Sequence, residues 1–175
     1  MADRGFTIDL PISERWQVVD VLRTAVYQCL AVVFDADSFA EMVSMVVGEL
    51  VENALKYGAW NGDAEPKGSE ARLKIRGLPA SVEIEVKNPL PAGASTALLF
   101  SMLERIKKAP SPQEAYVERL REVARDATAS SGLGLMRIAY EASCALSAQV
   151  DGNNICVRAL VDMPADAAAI ATPSH

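Results

Sequence analysis

The sequence predicts an α+β fold: a two-layer α/β sandwich with a mixed, mostly antiparallel sheet and helices on one face. Short segments that alternate apolar and polar residues indicate strands, and longer segments with apolar residues three and four apart indicate helices. The two kinds of segment are segregated along the chain, which favours antiparallel pairing. We expect a single domain over residues 1–163 and a disordered, alanine-rich tail over 164–175.

The first three elements are a strand and two helices. Residues 5–11 alternate apolar and polar side chains and end at a proline, as in a half-buried strand. Ser13 begins a helix whose apolar residues follow one face. Ser38, with Glu41 three residues later, predicts a capping box for a second helix, which runs to about Tyr57.

A hairpin follows a turn-rich loop over residues 59–68. Residues 71–76 and 81–87 alternate in the manner of strands, and residues 77–80 form the turn between them. The polar sides of the two strands carry opposite charges, which favours antiparallel pairing. Because residues 88–93 contain two prolines, we expect this stretch to break the sheet.

The second half of the chain predicts three helices and a terminal hairpin. Apolar residues recur at helical spacing over 95–108 and 112–126, and prolines separate the two segments. A short helix then runs to about residue 144, and strands at 148–150 and 155–161 flank a turn.

Composition and charge exclude several classes of function. The formal net charge of −6 predicts no basic surface for nucleic acid. Apolar stretches fall short of the roughly 18 charge-poor residues of a membrane span, so we expect a cytoplasmic protein without a membrane partner. The single histidine, at the C-terminus, excludes histidine-based triads and multi-histidine metal sites. The three cysteines form no disulfide framework, and we expect all of them to be buried and reduced: Cys29, Cys144 and Cys156.

Glu49 and Asn53 lie one turn apart on the second helix, on the side opposite its apolar stripe. An asparagine amide oxygen can ligate Mg²⁺, and a neighbouring carboxylate can orient or deprotonate a nucleophile. Gly48 beside them would let a ligand approach the backbone closely. The alternative is an ordinary solvated face, stabilised by an i,i+4 pair between Glu52 and Lys56.

A glycine motif, Ser131-Gly132-Leu133-Gly134-Leu135, precedes an amphipathic helix. Its glycines let backbone N–H groups converge on an anion, and the helix N-terminus adds unpaired donors, so phosphate is the expected ligand. The alternative is a flexible loop that caps the helix. No strand leads directly into the motif and no Walker lysine follows it, which excludes the common dinucleotide and P-loop motifs.

In this order, residues 49–57 (Glu-Leu-Val-Glu-Asn-Ala-Leu-Lys-Tyr) and the glycine motif resemble the N box and the second glycine box of the GHKL, or histidine-kinase-like, ATPases. Within that superfamily the chain is most similar to the small anti-sigma-factor serine/threonine kinases. The resemblance covers about residues 6–161. It implies the histidine-kinase-like ATPase fold, with ATP and Mg²⁺ as cofactors and a lid inserted at about residues 90–130.

The resemblance also implies a role for each matching residue. Asn53 would hold Mg²⁺, Glu49 would act as the general base, and Lys56 would lie near the phosphates. Backbone amides of the glycine motif, from Ser131 through Leu133 to Leu135, would cradle the β- and γ-phosphates, with Gly132 and Gly134 allowing their close approach. Phosphoryl transfer depends mainly on positioning and charge neutralisation, so this small set of groups could suffice.

Asn88 departs from the family pattern. There the family has the aspartate of a D-x-G-x-G box, which takes the adenine amino group. The Asn88 amide oxygen can still accept one hydrogen bond, although an Asn-Pro pair is also a common turn starter. The lid contains two helices and is stiffened by prolines; it could close over ATP, dock a partner or fill the site.

Three functions fit these features. The first is a cytoplasmic regulator of the anti-sigma kinase type, which binds Mg-ATP and phosphorylates Ser/Thr of a small antagonist; a sigma factor or the antagonist would be its partner, and a homodimer stays open. The second is a catalytically inactive protein-binding module with a degenerate nucleotide site, which Asn88 and the lid prolines favour. The third is an ATP hydrolase that drives closure of its own dimer.

Overall fold

The chain was analysed as a computed structural model, which describes residues 6–60, 71–126 and 132–164. In chain order the elements of these residues are β1 (Thr7–Pro11), α1 (Gln17–Phe34), α2 (Asp37–Tyr57), β2 (Arg72–Gly77), β3 (Ser81–Pro89), α3 (Ala97–Lys108), α4 (Pro112–Arg125), α5 (Leu133–Glu141), β4 (Ala145–Asp151) and β5 (Asn154–Asp162). The α+β prediction is confirmed. Ser131, most of the predicted loop and nearly all of the predicted tail lie outside the described residues.

The sheet has the strand order β1-β2-β3-β5-β4, and every pairing between these strands is antiparallel, where the sequence had allowed a mixed sheet. In the central strand, Ile84 pairs with Ile75 of β2 on one side and Ala159 of β5 on the other. All three are fully buried. The charge complementarity predicted for the first hairpin is confirmed where Arg76 faces Glu83 and forms an ion pair with it.

The core lies between the apolar side of the sheet and the helices. Its largest fully buried side chains come from both layers: Leu30, Phe39, Leu50, Leu73, Ile75, Ile84, Met136 and Ile138. Burying a side chain of this size stabilises the fold by roughly 1.5–3 kcal/mol. Because α2 contributes more buried residues than α1 or α5, the helix that carries Glu49 and Asn53 is held rigidly over the sheet.

Both helix starts in the first half differ from the prediction. Helix α1 begins at Gln17, after a turn at Trp16 across which the Val18 amide donates to the Arg15 carbonyl at 2.9 Å. The capping box is wrong: α2 begins at Asp37, after an N-cap residue that makes no side-chain cap, so Ser38 is already inside the first turn.

The expectation that the sheet breaks at residue 88 is also wrong. Strand β3 continues through Pro89, and Asn88 pairs with Ile155 of β5. Proline is tolerated there because β2 has ended: the last pair between β2 and β3 joins Arg72 and Lys87. Pro89 therefore lies at a local sheet edge, where a missing N–H removes no ladder hydrogen bond.

Two further expectations, on membrane spans and on buried cysteines, are wrong at helix α1. With 18 residues and a mean hydropathy of 1.4, it meets the length and composition test for a membrane span, which the sequence analysis had assigned to no stretch. Five of its residues are buried in the core, so we place it in the domain. Its other side is exposed and carries Cys29, which is therefore not buried, whereas Cys144 and Cys156 are.

Candidate functional site

A cavity of about 400 Å³ lies between α2, the ends of β3 and β5, the lid helix α3 and the start of α5. This volume falls in the range of small-molecule sites. Five residues predicted to bind a nucleotide line it: Asn53, Lys56, Asn88, Gly132 and Leu135. The remaining wall is mainly apolar, with Val86, Leu99, Met102, Ile155 and Val157 among its residues. Predicted residues from three separate elements, α2, β3 and the start of α5, thus converge on one space.

Three of the other predicted site residues do not line the cavity. Glu49, Leu133 and Gly134 lie just beside it, where α2 meets the first turn of α5. Ser131 lies outside the described residues.

Asn53 presents an unusual polar group at the cavity wall. Its Nδ2 atom is buried and has no hydrogen-bond partner within the described part of the chain. A buried polar group without a partner costs about 1–3 kcal/mol. Such a group calls for an explanation, and a ligand in the cavity would provide one.

Lys56 lies one turn further along α2 and pairs with Glu52, with 3.3 Å between Nζ and Oε2. This is the i,i+4 contact that the alternative interpretation of the helix predicted. The lysine side chain is 47% exposed, so the pair stabilises the fold little and leaves the ammonium group able to turn to an anion.

The two glycines of the motif are needed for different reasons. Gly132 is the N-cap residue of α5 and has φ +81, a left-handed conformation that favours glycine. A β-carbon there would also lie 2.8 Å from Met102 Cγ of the lid. At Gly134, a β-carbon would overlap the Oε2 atom of Glu49. The motif therefore lets both the lid and the Glu49 carboxylate approach the start of α5.

Gly48 does not serve the site as expected. It is buried, and a β-carbon there would lie 2.6 Å from Arg23 Cδ of helix α1. Its small size allows the two helices to pack rather than a ligand to approach. The helical pattern misplaced it because residues facing α1 and residues facing the cavity are adjacent on α2.

Glu49 lies in an environment that disfavours its charged form. Burial is the largest cause that raises the pKa of this carboxyl, and the nearby charge of Glu52 raises it further. Arg137 and Lys56 oppose the rise without cancelling it. A carboxyl with a raised pKa accepts a proton more readily than an exposed one, as a general base requires.

Asn88 is 3% exposed and lines the cavity from the end of β3. Its Nδ2 atom donates to the Pro89 carbonyl at 3.3 Å. With the amide nitrogen occupied in this way, Oδ1 is the atom left to accept a hydrogen bond from a ligand. The alternative interpretation of Asn88 as a turn starter is wrong, since the residue lies within a strand.

The lid consists of α3 and α4, as predicted, and its apolar stripe packs inward. Leu98, Leu99 and Met102 line the cavity, so the lid covers the space without filling it. The two helices are joined by Arg105 and Glu122, whose side chains make two hydrogen bonds of 3.0 and 2.7 Å. Paired bonds of this kind fix geometry better than a single contact.

Sequence analysis missed two residues at the site. Met102 was assigned to the apolar stripe of the lid, but its contact with Gly132 could not be foreseen. Arg137, on α5, reaches Glu49 across 88 positions of sequence, with 3.4 Å between Nη1 and Oε1. An isolated arginine on an amphipathic helix carries no signal of such a contact.

Comparison with known proteins supports the fold and leaves the family open. No protein-family model matches the chain, and no curated protein matches it either. Among solved structures, a chain in the crystal structure of the SiaB–SiaC complex from Pseudomonas aeruginosa is similar, with a TM-score of 0.62 and 21% sequence identity over 89% of each chain. The two chains share a fold over most of their length.

Proposed function

We propose that this chain is an ATP-binding regulatory protein of the anti-sigma-factor kinase type, which binds Mg-ATP in the cavity and phosphorylates a serine or threonine of a small antagonist protein. The observation that carries the proposal is the convergence of Asn53, Lys56, Asn88 and Gly132 on one cavity of about 400 Å³. These residues come from α2, β3 and the start of α5, and the resemblance assigns each of them to the same ligand.

The phosphate half of the site would be formed by α2 and α5. The unpartnered Nδ2 atom of Asn53 fits a hydrogen-bond acceptor such as a phosphate oxygen, whereas its Oδ1 atom is the one that would ligate Mg²⁺. Within the described ranges no group of three or more acidic, cysteine or histidine residues could hold a metal. A Mg²⁺ ion that takes one protein oxygen and completes its shell with phosphate oxygens and water is compatible with this. When bound, the ion would neutralise phosphate charge.

The adenine half would be formed by Asn88 and the apolar wall. Purine rings bury well against side chains such as Val86, Leu99 and Ile155. The Oδ1 atom of Asn88 can accept from the exocyclic amino group of adenine, whereas guanine would present a carbonyl at that edge. ATP should therefore bind more tightly than GTP.

Glu49 would act as the base in the transfer step. The hydroxyl proton of the partner residue would pass to the Glu49 carboxylate as the hydroxyl oxygen forms a bond to the γ-phosphorus. The bond between that phosphorus and its bridging oxygen would break, and ADP would leave with the electron pair. Lys56 could then balance charge on the phosphates.

The structural neighbour comes from a complex of two proteins, which supports a regulatory protein partner for this chain as well. We propose a sigma factor or its antagonist as that partner. The competing proposal is a module without catalytic activity that binds only protein, and the loss of the family aspartate at Asn88 favours it.

Calorimetric titration with Mg-ATP separates these proposals. We expect wild-type protein to bind Mg-ATP in preference to Mg-GTP, and Asn53→Ala to weaken binding at least tenfold. Gln149→Ala, which removes an exposed amide on β4, is the matched control and should bind normally. No binding by wild type would reject the kinase and favour the inactive module.

If ATP binds, labelled nucleotide and a purified candidate antagonist separate transfer from hydrolysis. Glu49→Ala should abolish transfer and leave the affinity for ATP unchanged. A variant that keeps its rate would show that Glu49 is not the base.

A further inference from the structure

Arg137 lies on α5, one turn beyond Gly134, and contacts two carboxylates. Its Nη1 atom lies 3.4 Å from Oε1 of Glu49 on α2, and its Nε atom donates to Oε2 of Glu141 at 3.1 Å. The contact with Glu141 lies within the helix, at i,i+4 spacing. The contact with Glu49 joins two helices at the edge of the proposed phosphate site.

The Glu49 carboxylate is confined on two sides. Its Oε2 atom lies against Gly134, so closely that a β-carbon at that position would overlap it. Its Oε1 atom faces the Arg137 guanidinium. The side chain of Glu49 is only 19% exposed, which leaves it little freedom to adopt another rotamer. The carboxylate is therefore aimed at the first turn of α5.

The lid is docked beside the same arginine. The ring of Tyr116 on α4 stacks on Tyr140 of α5, with 5.8 Å between ring centroids and 28° between ring planes. Tyr140 lies three residues beyond Arg137, which places it on the same side of α5. Displacing the lid would thus disturb the surroundings of Arg137.

We propose that Arg137 is a positioning residue for the phosphoryl transfer: it holds the Glu49 carboxylate at the start of α5, where the terminal phosphate would bind. The inference rests on the proposed function. Neither residue lines the cavity, but Arg137 contacts Glu49, so we assign its effect to the orientation of that carboxylate and not to a contact with the nucleotide. It forms and breaks no bond in the step; the hydroxyl proton is taken by Glu49 alone.

Rates at saturating nucleotide test this role. Arg137→Gln should lower the single-turnover transfer rate at least tenfold while the Kd for Mg-ATP stays within twofold of wild type. Arg137→Lys keeps the positive charge and should recover a large part of the rate. Glu141→Gln removes the other partner of Arg137 and, as the control, should keep the wild-type rate. Circular dichroism verifies that each variant is folded.

A second measurement needs no nucleotide. In ¹⁵N-labelled protein, the Nε–H signal of Arg137 should shift when Glu49 is replaced by glutamine, because the guanidinium loses its charged partner. The same signal should stay in place in Gln149→Ala, which lies elsewhere on the surface. This measurement separates the two proposals. If wild type fails to bind Mg-ATP, the proposed function is rejected, and so is the role of Arg137 in transfer. A shifted Arg137 signal would still show that Arg137 interacts with Glu49.

Three outcomes would overturn the inference. An unchanged transfer rate in Arg137→Gln would show that Glu49 needs no positioning. Weaker Mg-ATP binding at an unchanged rate would make Arg137 a nucleotide ligand instead. If the Arg137 Nε–H signal does not shift in Glu49→Gln, the two side chains do not interact in solution.

Discussion

Replacing Gly134 by alanine tests the contact on which the proposed base depends. In the interior of a helix, alanine stabilises a protein by about 1 kcal/mol relative to glycine, and this is an upper bound at Gly134, the second residue of α5. At Gly134 the added β-carbon would overlap Oε2 of Glu49 and lie 3.1 Å from its Cδ atom, and overpacking of this kind costs about 1–3 kcal/mol. The two effects together predict a destabilisation between about zero and 3 kcal/mol.

The sign should reverse when Glu49 is removed. In a Glu49→Ala background the obstruction is gone, so Gly134→Ala should stabilise the protein by up to about 1 kcal/mol through the helical preference of alanine. For a chain of this length, 1 kcal/mol corresponds to a shift in Tm of about 2–4 °C. Gly134→Ala should therefore lower the Tm of wild type by up to about 12 °C. The same substitution should raise the Tm of the Glu49→Ala protein, by up to about 4 °C.

Thermal denaturation of the four proteins of this cycle measures the coupling directly. Gly48→Ala is the control, because its β-carbon would meet Arg23 and not Glu49, and its effect should be the same in both backgrounds. If Gly134→Ala shifts the Tm equally with and without the Glu49 side chain, the carboxylate does not occupy the space beside α5, and the assignment of Glu49 as a positioned base is refuted.

Three further predictions concern the rest of the molecule. In thermal denaturation, Gly132→Ala should lower the Tm more than Gly152→Ala. Both glycines have positive φ, but only at Gly132 would the added β-carbon also meet a lid side chain. Two arginines lower the pKa of Glu122 to about 2. The contribution of Glu122 to lid stability is therefore complete above the unfolded pKa near 4.5 and is lost as the pH falls towards 2. Hydrogen exchange should show α3 and α4 opening between these pH values, and in Glu122→Gln it should show the same opening at neutral pH. Cys29, the exposed cysteine, should react with a thiol reagent in the native protein, whereas the two buried cysteines should react only on unfolding.

Much of what surrounds the cavity could be predicted because its signals are local. The apolar stripe of α2 and the glycine motif before α5 can each be recognised within a few turns of helix. Since the residues on the polar side of α2 share one rigid element, Asn53 and Lys56 reach the same cavity. The lid helices were predicted for the same reason, as prolines mark their boundaries.

What could not be predicted depends on distant neighbours. Whether Pro89 ends β3 is decided by where β2 stops, and that is a property of the sheet. Whether a glycine faces a ligand or another helix is equally non-local: Gly48 meets Arg23, and Gly134 meets Glu49. The spacing of residues along one helix gives no information about which side chain of another helix packs against them.

The polar groups beside the cavity help to weigh a working site against an inactive one. The Nδ2 atom of Asn53 has no hydrogen-bond partner within the described residues, and burial disfavours the charged form of the Glu49 carboxyl. Both features reduce the stability of the fold. Gly132 adds a backbone conformation that other residues adopt only at a cost. A module that only binds protein gains nothing from the unfavourable groups of Asn53 and Glu49 beside one cavity, because apolar residues would pack there with less penalty. A phosphate ligand would accept a hydrogen bond from the Asn53 amide and could approach the backbone closely at Gly132, beside the Glu49 carboxyl, as the proposed nucleotide site requires.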